Sequence, residues 1–151
     1  MAETSGYKVQ FSVAGDRKLR KLLKRVGHKD ARKIVRASMA KETRVLRKAM
    51  KAIAPRDTGH LRRSLVAKVK TYSTGTVFGV IGVARNAKNK ETGRNPQNYL
   101  HLVVRGTQAH GDHPGVEAND FVGKTLETKG RQSAERMQAE MLRRLLVAVK
   151  T

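Results

Sequence analysis

The chain has 151 residues, 33 Lys and Arg against 12 Asp and Glu, and a formal net charge of +21. It has no cysteine, which excludes disulfides, thiolate metal ligands and a cysteine nucleophile. No apolar run approaches the roughly 20 residues of a membrane span, and the opening MAETSGYKVQF has neither a basic nor an apolar leader region, so no membrane partner or secretion signal is expected.

In chain order, YKVQFSV (7–13) alternates apolar and polar residues and predicts a short strand, with Asp16 as the cap of the helix that follows. DRKLRKLLKRV places Leu19, Leu22, Leu23 and Val26 on one helical face, and Gly27 stops it. A long amphipathic helix is expected over about 30–54, ended by Pro55, which disfavours helical geometry at Ala54. Its apolar stripe includes Ile34, Met39, Leu46 and Met50, and Arg36, Arg44, Arg47, Lys48 and Lys51 form a candidate basic partner face. Residues 64–84 read as a β-hairpin, in which Gly79 and Gly82 mark a bulge or a close backbone approach. RNAKNKETGRNPQ (85–97) reads as a mobile basic connection carrying Arg85, Lys88, Lys90 and Arg94. NYLHLVVRGT (98–107), apolar on both faces near Leu100–Val104, reads as a third strand in a central place, followed by a loop at 107–118 that holds His110 and His113. A final helix begins at an Asn119 or Asp120 cap and runs to about Val149, with Gly130 as a kink or break.

The expected fold is a single α+β domain over 1–151. It has a small antiparallel sheet of three to four strands, packed against the long helix of the N-terminal half and the long C-terminal helix.

Two constellations suggest chemistry. Asp57-Thr58-Gly59 matches the aspartic-protease triplet, but that chemistry needs two facing carboxylates and the chain holds a single copy, after a basic helix. Local backbone hydrogen bonding by Asp57 and Thr58, with a positive φ at Gly59, accounts for the same residues as a corner. His110 and His113 flank Gly111-Asp112 and could offer imidazoles to a metal, but no established ligand spacing accompanies them. The sequence supports neither an enzyme nor a metal or cofactor site. The charge keeps a small basic nucleic-acid-binding protein, acting through phosphate contacts, as the alternative, although stacking aromatics are scarce.

The stretch Ala54-Pro55-x-Asp57-Thr58-Gly59-x-Leu61-Arg62-x-Ser64-Leu65 resembles the hallmark of the gene-product-ten-like family of long-tailed bacteriophages, the head–tail joining, neck or tail-completion proteins. Tyr99 with Gly106-Thr107, and Phe121 before the last helix, are similar to further family positions. Val104 and Arg105 stand where the family commonly has an acidic residue and an aromatic. The resemblance implies a tail-terminator-like fold and a structural, non-enzymatic subunit of the virion neck, made in the host cytoplasm. It implies a homo-oligomeric ring, six-fold favoured and twelve-fold the alternative. The implied partners are a portal or connector protein and a tail-terminator or tail-tube protein, with transient contact to genomic DNA in the channel. Under this reading Pro55, Asp57, Thr58 and Gly59 are the structural corner and Tyr99, Gly106 and Thr107 a strand-end motif. Arg85, Lys88, Lys90, Arg94, His110 and His113 then lie on arms toward other subunits.

Overall fold

The computed structural model describes residues 8–9, 17–56, 59–74 and 76–150. The elements are β1 (Lys8–Val9), α1 (Arg17–Arg25), α2 (His28–Ile53), α3 (His60–Ser64), β2 (Leu65–Thr71), β3 (Val77–Val83), α4 (Pro96–Arg105), α5 (Phe121–Thr125), a π-helical turn (Leu126–Gly130) and α6 (Arg131–Lys150). The class is α+β, as expected, with both long helices in place.

Helix α2 is the spine of the molecule, about 39 Å long at 1.5 Å per residue. It starts where Gly27 adopts a φ of 79°, and Ala31 donates its N–H to the Gly27 carbonyl at 3.0 Å. It ends at Ala54, whose backbone is extended (φ −60°, ψ 144°) because Pro55 follows. Two apolar clusters lie along it. Near its C-terminal end, Leu46, Met50 and Ala54 pack with Leu61 of α3, Leu65 of β2, Ile81 of β3, Leu100 and Val104 of α4, and Phe121 and Val122 of α5. Near its middle, Met39 packs with Leu19 and Leu22 of α1 and with Met137, Met141 and Leu145 of α6.

The sheet is antiparallel in the order β1-β3-β2. Strands β2 and β3 pair without interruption from Leu65↔Val83 to Thr71↔Val77, while β1 contributes two residues opposite Val80 and Gly79. The continuous register rules out a bulge at Gly79, and the close approach anticipated there is real. A Cβ on Gly79 would lie 2.5 Å from Thr43 Oγ1 and 3.2 Å from Met39 Sδ, so the missing side chain lets α2 sit directly on the sheet. Of the expected 7–13 strand only Lys8 and Val9 are described, and the rest, with the Asp16 cap, lies outside the described residues.

The strand expected over 98–107 is instead helix α4. The Asn95 side chain accepts a hydrogen bond from the Gln97 N–H at 3.1 Å, and Pro96 occupies the first helical turn, where its missing N–H costs nothing. Leu100 and Val104, one turn apart, face the core. The sheet therefore has two full strands and one two-residue strand, slightly below the three to four expected. A single helical turn, α3, also precedes β2 and takes in Ser64, the first residue of the expected hairpin.

At the C-terminal end, Asp120 caps α5 by accepting from the Gly123 N–H at 2.7 Å. Gly130 does not break the helix. Leu126 and Arg131 both keep right-handed helical angles, and the interruption is a π-turn that inserts its extra residue before α6.

Candidate subunit-interaction site

The corner begins at Pro55 and ends at Gly59, whose φ of 66° is left-handed and favours glycine. Gly59 N–H donates to the Arg56 carbonyl at 3.0 Å, and Arg63 N–H donates to the Gly59 carbonyl at 3.1 Å, so the turn leads directly into α3. Asp57 and Thr58 lie outside the described residues. A contact not anticipated from the sequence reinforces the corner. Arg62 donates from Nε to the Lys51 carbonyl at 2.5 Å and from Nη2 to the Ala52 carbonyl at 3.1 Å. These are terminal carbonyls of α2, and a guanidinium there satisfies them and complements the negative end of the helix dipole. A shallow basic depression lined by Lys51, Gly59, Arg62 and Arg63 results.

The basic residues singled out on α2 do share a face. At 100° per residue, Arg36, Arg44, Arg47, Lys48 and Lys51 fall within an arc of about 120°. The other side of the helix buries Met39, Glu42, Thr43, Leu46 and Met50. Arg36, Arg44 and Lys48 are exposed and Arg47 and Lys51 half-buried. Arg47 Nε is shielded from solvent and has no hydrogen-bond partner.

The 85–97 connection is a compact turn. Asn89 N–H donates to the Arg94 carbonyl at 2.8 Å, Asn95 Nδ2 to the Arg85 carbonyl at 2.9 Å, and His60 Nε2 to the Ala87 carbonyl at 2.5 Å. Arg85, Lys88, Lys90 and Arg94 point outward and are exposed.

The 107–118 loop folds into a small hairpin. Thr107 and Val116 exchange two backbone hydrogen bonds (2.8 and 3.1 Å), and so do His110 and His113 (both 3.1 Å). Gly106 (φ 75°) and Gly115 (φ 82°) set its base, and both positions are closed to a side chain. A Cβ on Gly106 would lie 2.8 Å from Ala118 N and Val116 O, and one on Gly115 2.6 Å from Thr107 O. Asn119 N–H fastens the returning strand to the Val103 carbonyl of α4 at 2.9 Å. Residues 107–114 are all exposed, so the hairpin stands off the body as an arm.

This placement corrects the strand-end motif. Tyr99 is in the middle of α4 and packs against the core near the corner, Gly106 is the C-cap of α4, and Thr107 is the first residue of the arm. The motif spans a helix and its exit, because Asn95-Pro96 starts a helix where the apolar content suggested a strand. His110 and His113 face each other across the arm through backbone bonds. Among the described residues, no group of three His, Asp or Glu side chains is placed to hold a metal, and no helix is long and apolar enough to cross a membrane.

Acidic residues on the body are drawn into the surplus of cations. Glu140 on α6 accepts from Arg143 (both contacts 3.1 Å) and Arg144 (2.8 Å), with Lys41 of α2 3.9 Å away. The Arg143 hydrogen bond, then that of Arg144, lowers its pKa from the ordinary 4.5 to about 2. A carboxylate whose folded pKa is depressed stabilises the fold above its unfolded value and loses that contribution as pH falls toward the folded one. Glu140→Gln is therefore expected to flatten the fall in stability between about pH 4.5 and pH 2. Denaturant midpoints measured across that window check it, and a wild-type slope retained in the variant contradicts it.

No curated protein and no solved structure matches the chain. A family model does, described as "Bacteriophage HK97-gp10, putative tail-component", over residues 16–103. The match takes in α1, α2, the corner, the β2–β3 hairpin and most of α4, while the arm and α5–α6 lie beyond it. With more than half of its length matched, including the Pro55–Leu65 motif, the chain belongs to the HK97-gp10-like family of bacteriophage tail components.

Proposed function

We propose that the chain is a structural subunit, not an enzyme, that forms a ring at the virion neck and joins or completes the head–tail connector and tail tube. Family membership supports a role as a phage structural protein acting among other tail or virion proteins. The observation that carries the finer reading is the 107–118 hairpin. An arm exposed from Thr107 to Pro114, closed by backbone hydrogen bonds and based on two glycines that admit no side chain, adds nothing to the core of its own chain and suits contact with another. Strand β2 supports it as well. The Ser64 carbonyl and the Tyr72 N–H both pair toward β3, so the alternating main-chain groups of Leu65, Ala67, Val69 and Thr71 point to the sheet edge. Such an edge suits pairing or cover in an assembly. Pro55 ends α2 and Gly59 opens α3, and in a closed ring the angle between α2 and the sheet sets the number of subunits, six favoured and twelve the alternative.

The portal or connector on one side and the tail-terminator or tail-tube protein on the other are the proposed neighbours. Particles assembled without this chain should accumulate as separate filled heads and finished tails in negative-stain images. Joined, infectious particles lacking the polypeptide would overturn the reading. The basic face of α2 supports the second reading, phosphate-backbone binding. Retention of duplex DNA that weakens steeply with salt, by a protein that forms no ring, would favour it.

A further inference from the structure

Between Arg105 and Lys124 the sequence has no Lys or Arg, the longest such stretch in the chain. It carries Asp112, Glu117 and Asp120, so residues 106–123 are net −3 (none basic, three acidic) in a molecule of net charge +21. It contains the arm, residues 107–118, which is itself net −2 (Asp112 and Glu117, no Lys or Arg). Asp120 is occupied in capping α5. Asp112, at the tip, and Glu117, near the base, are exposed. The acidic arm and the basic α2 face are thus two different surfaces of one chain with opposite charge.

We infer that the arm of one copy docks on the exposed α2 face, around Arg44 and Lys48, of the next copy. This rests on the ring reading and names its contact. Charge selects the occupant. Two bodies of +21 repel, and a nucleic acid would repel the arm, whereas a second copy offers the complement of each surface. The contact is heterologous, arm to face, so it does not stop at a dimer, and it makes a ring where the rotation between copies divides a full turn. About six residues from Thr107 to the tip give the arm a reach of about 20 Å. Exposed ion pairs are individually weak and screened by salt. The arm therefore sets orientation and salt sensitivity, and apolar contacts between bodies supply the remaining affinity.

The test is a charge swap, read by sedimentation velocity at low salt. The arm variant D112K/E117K and the face variant R44E/K48E should each lose assembly alone, association falling by about tenfold or more. An equimolar mixture should regain it, because each arm then meets a face of opposite charge. If either variant assembles alone as wild type does, the arm contact is wrong and the ring stands. If the mixture fails to recover, the pairing is wrong. If wild type stays monomeric, the ring reading falls and takes the contact with it. Single cysteines give an independent readout in this cysteine-free chain, whatever the swap variants do to the fold. A D112C chain mixed with a separately tagged K48C chain should yield the mixed disulfide-linked dimer under mild oxidation. Absence of that dimer from assembled rings would overturn the contact.

Discussion

Phe121→Ala is expected to lower unfolding free energy by about 3–5 kcal/mol, the range for emptying a large, fully enclosed aromatic site. Phe121 is 0% exposed in a chain with three Phe and no Trp, so few other side chains fill comparable volume. It is the first residue of α5, directly after the Asp120 cap, where the chain returns from the arm. Its cluster joins Leu46 and Met50 of α2 to Leu100 and Val104 of α4. The cavity would therefore loosen both anchors of the arm, α4 before it and α5 after it. Domains of this size hold about 5–15 kcal/mol in total, so the variant should be marginal at 37 °C. Urea denaturation followed by circular dichroism measures the loss. A change under about 1 kcal/mol would mean that the site closes over without cost and that Phe121 is not the fastening.

The helices were legible where caps and periodicity agreed. Gly27 and Pro55 bracket α2 because one supplies a positive φ and the other forbids helix at Ala54. At α4 the two signals conflicted. Residues 98–104 are rich in Val and Leu, which suits a strand, yet Pro96, Tyr99, Leu100, Val103 and Val104 recur at helical spacing and Asn95-Pro96 is a helix start. The local cap outweighed β-propensity, and reading it would have found the helix. Gly79 left a bulge and a close approach open, and the sequence could not show that Thr43 and Met39 of α2 were the neighbours. Of the candidate site, the α2 basic face followed from spacing alone. The hairpin form of the arm did not, because it depends on close backbone approach around Gly106 and Gly115 that exists only once the hairpin is folded. Arg62 stood in the hallmark motif with no contact assigned, and its role depends on where the end of α2 lies in space. Glu42 was hidden for the same reason, since its partners are 91 and 94 residues away.

Glu42 supplies the second large effect. Its carboxylate, 3% exposed and on the inner side of α2, accepts from Ser133 Oγ at 2.8 Å and from Arg136 Nε at 3.3 Å, both on α6. The Arg136 side chain is 43% exposed, so the pair is asymmetric. Arg136→Met leaves an anion buried with one neutral donor and is expected to cost about 3 kcal/mol, the low end for breaking a buried pair. Glu42→Leu instead leaves a guanidinium that water can reach and a serine hydroxyl without its acceptor, for a smaller loss of about 1–2 kcal/mol. The more exposed residue is thus the costlier one to remove. Replacing the whole cluster, Glu42→Leu with Ser133→Ala and Arg136→Met, should return stability to within about 1 kcal/mol of wild type, because no polar group is then stranded. Denaturation of the three proteins in parallel decides it, and equal losses for the two partners would contradict the asymmetry. The cluster pins α2 to α6 on the side opposite the basic face. Arg136→Met should therefore also loosen the α2–α6 joint and increase amide exchange along α6, while the triple variant, repacked and uncharged at that joint, keeps the protection of the wild type.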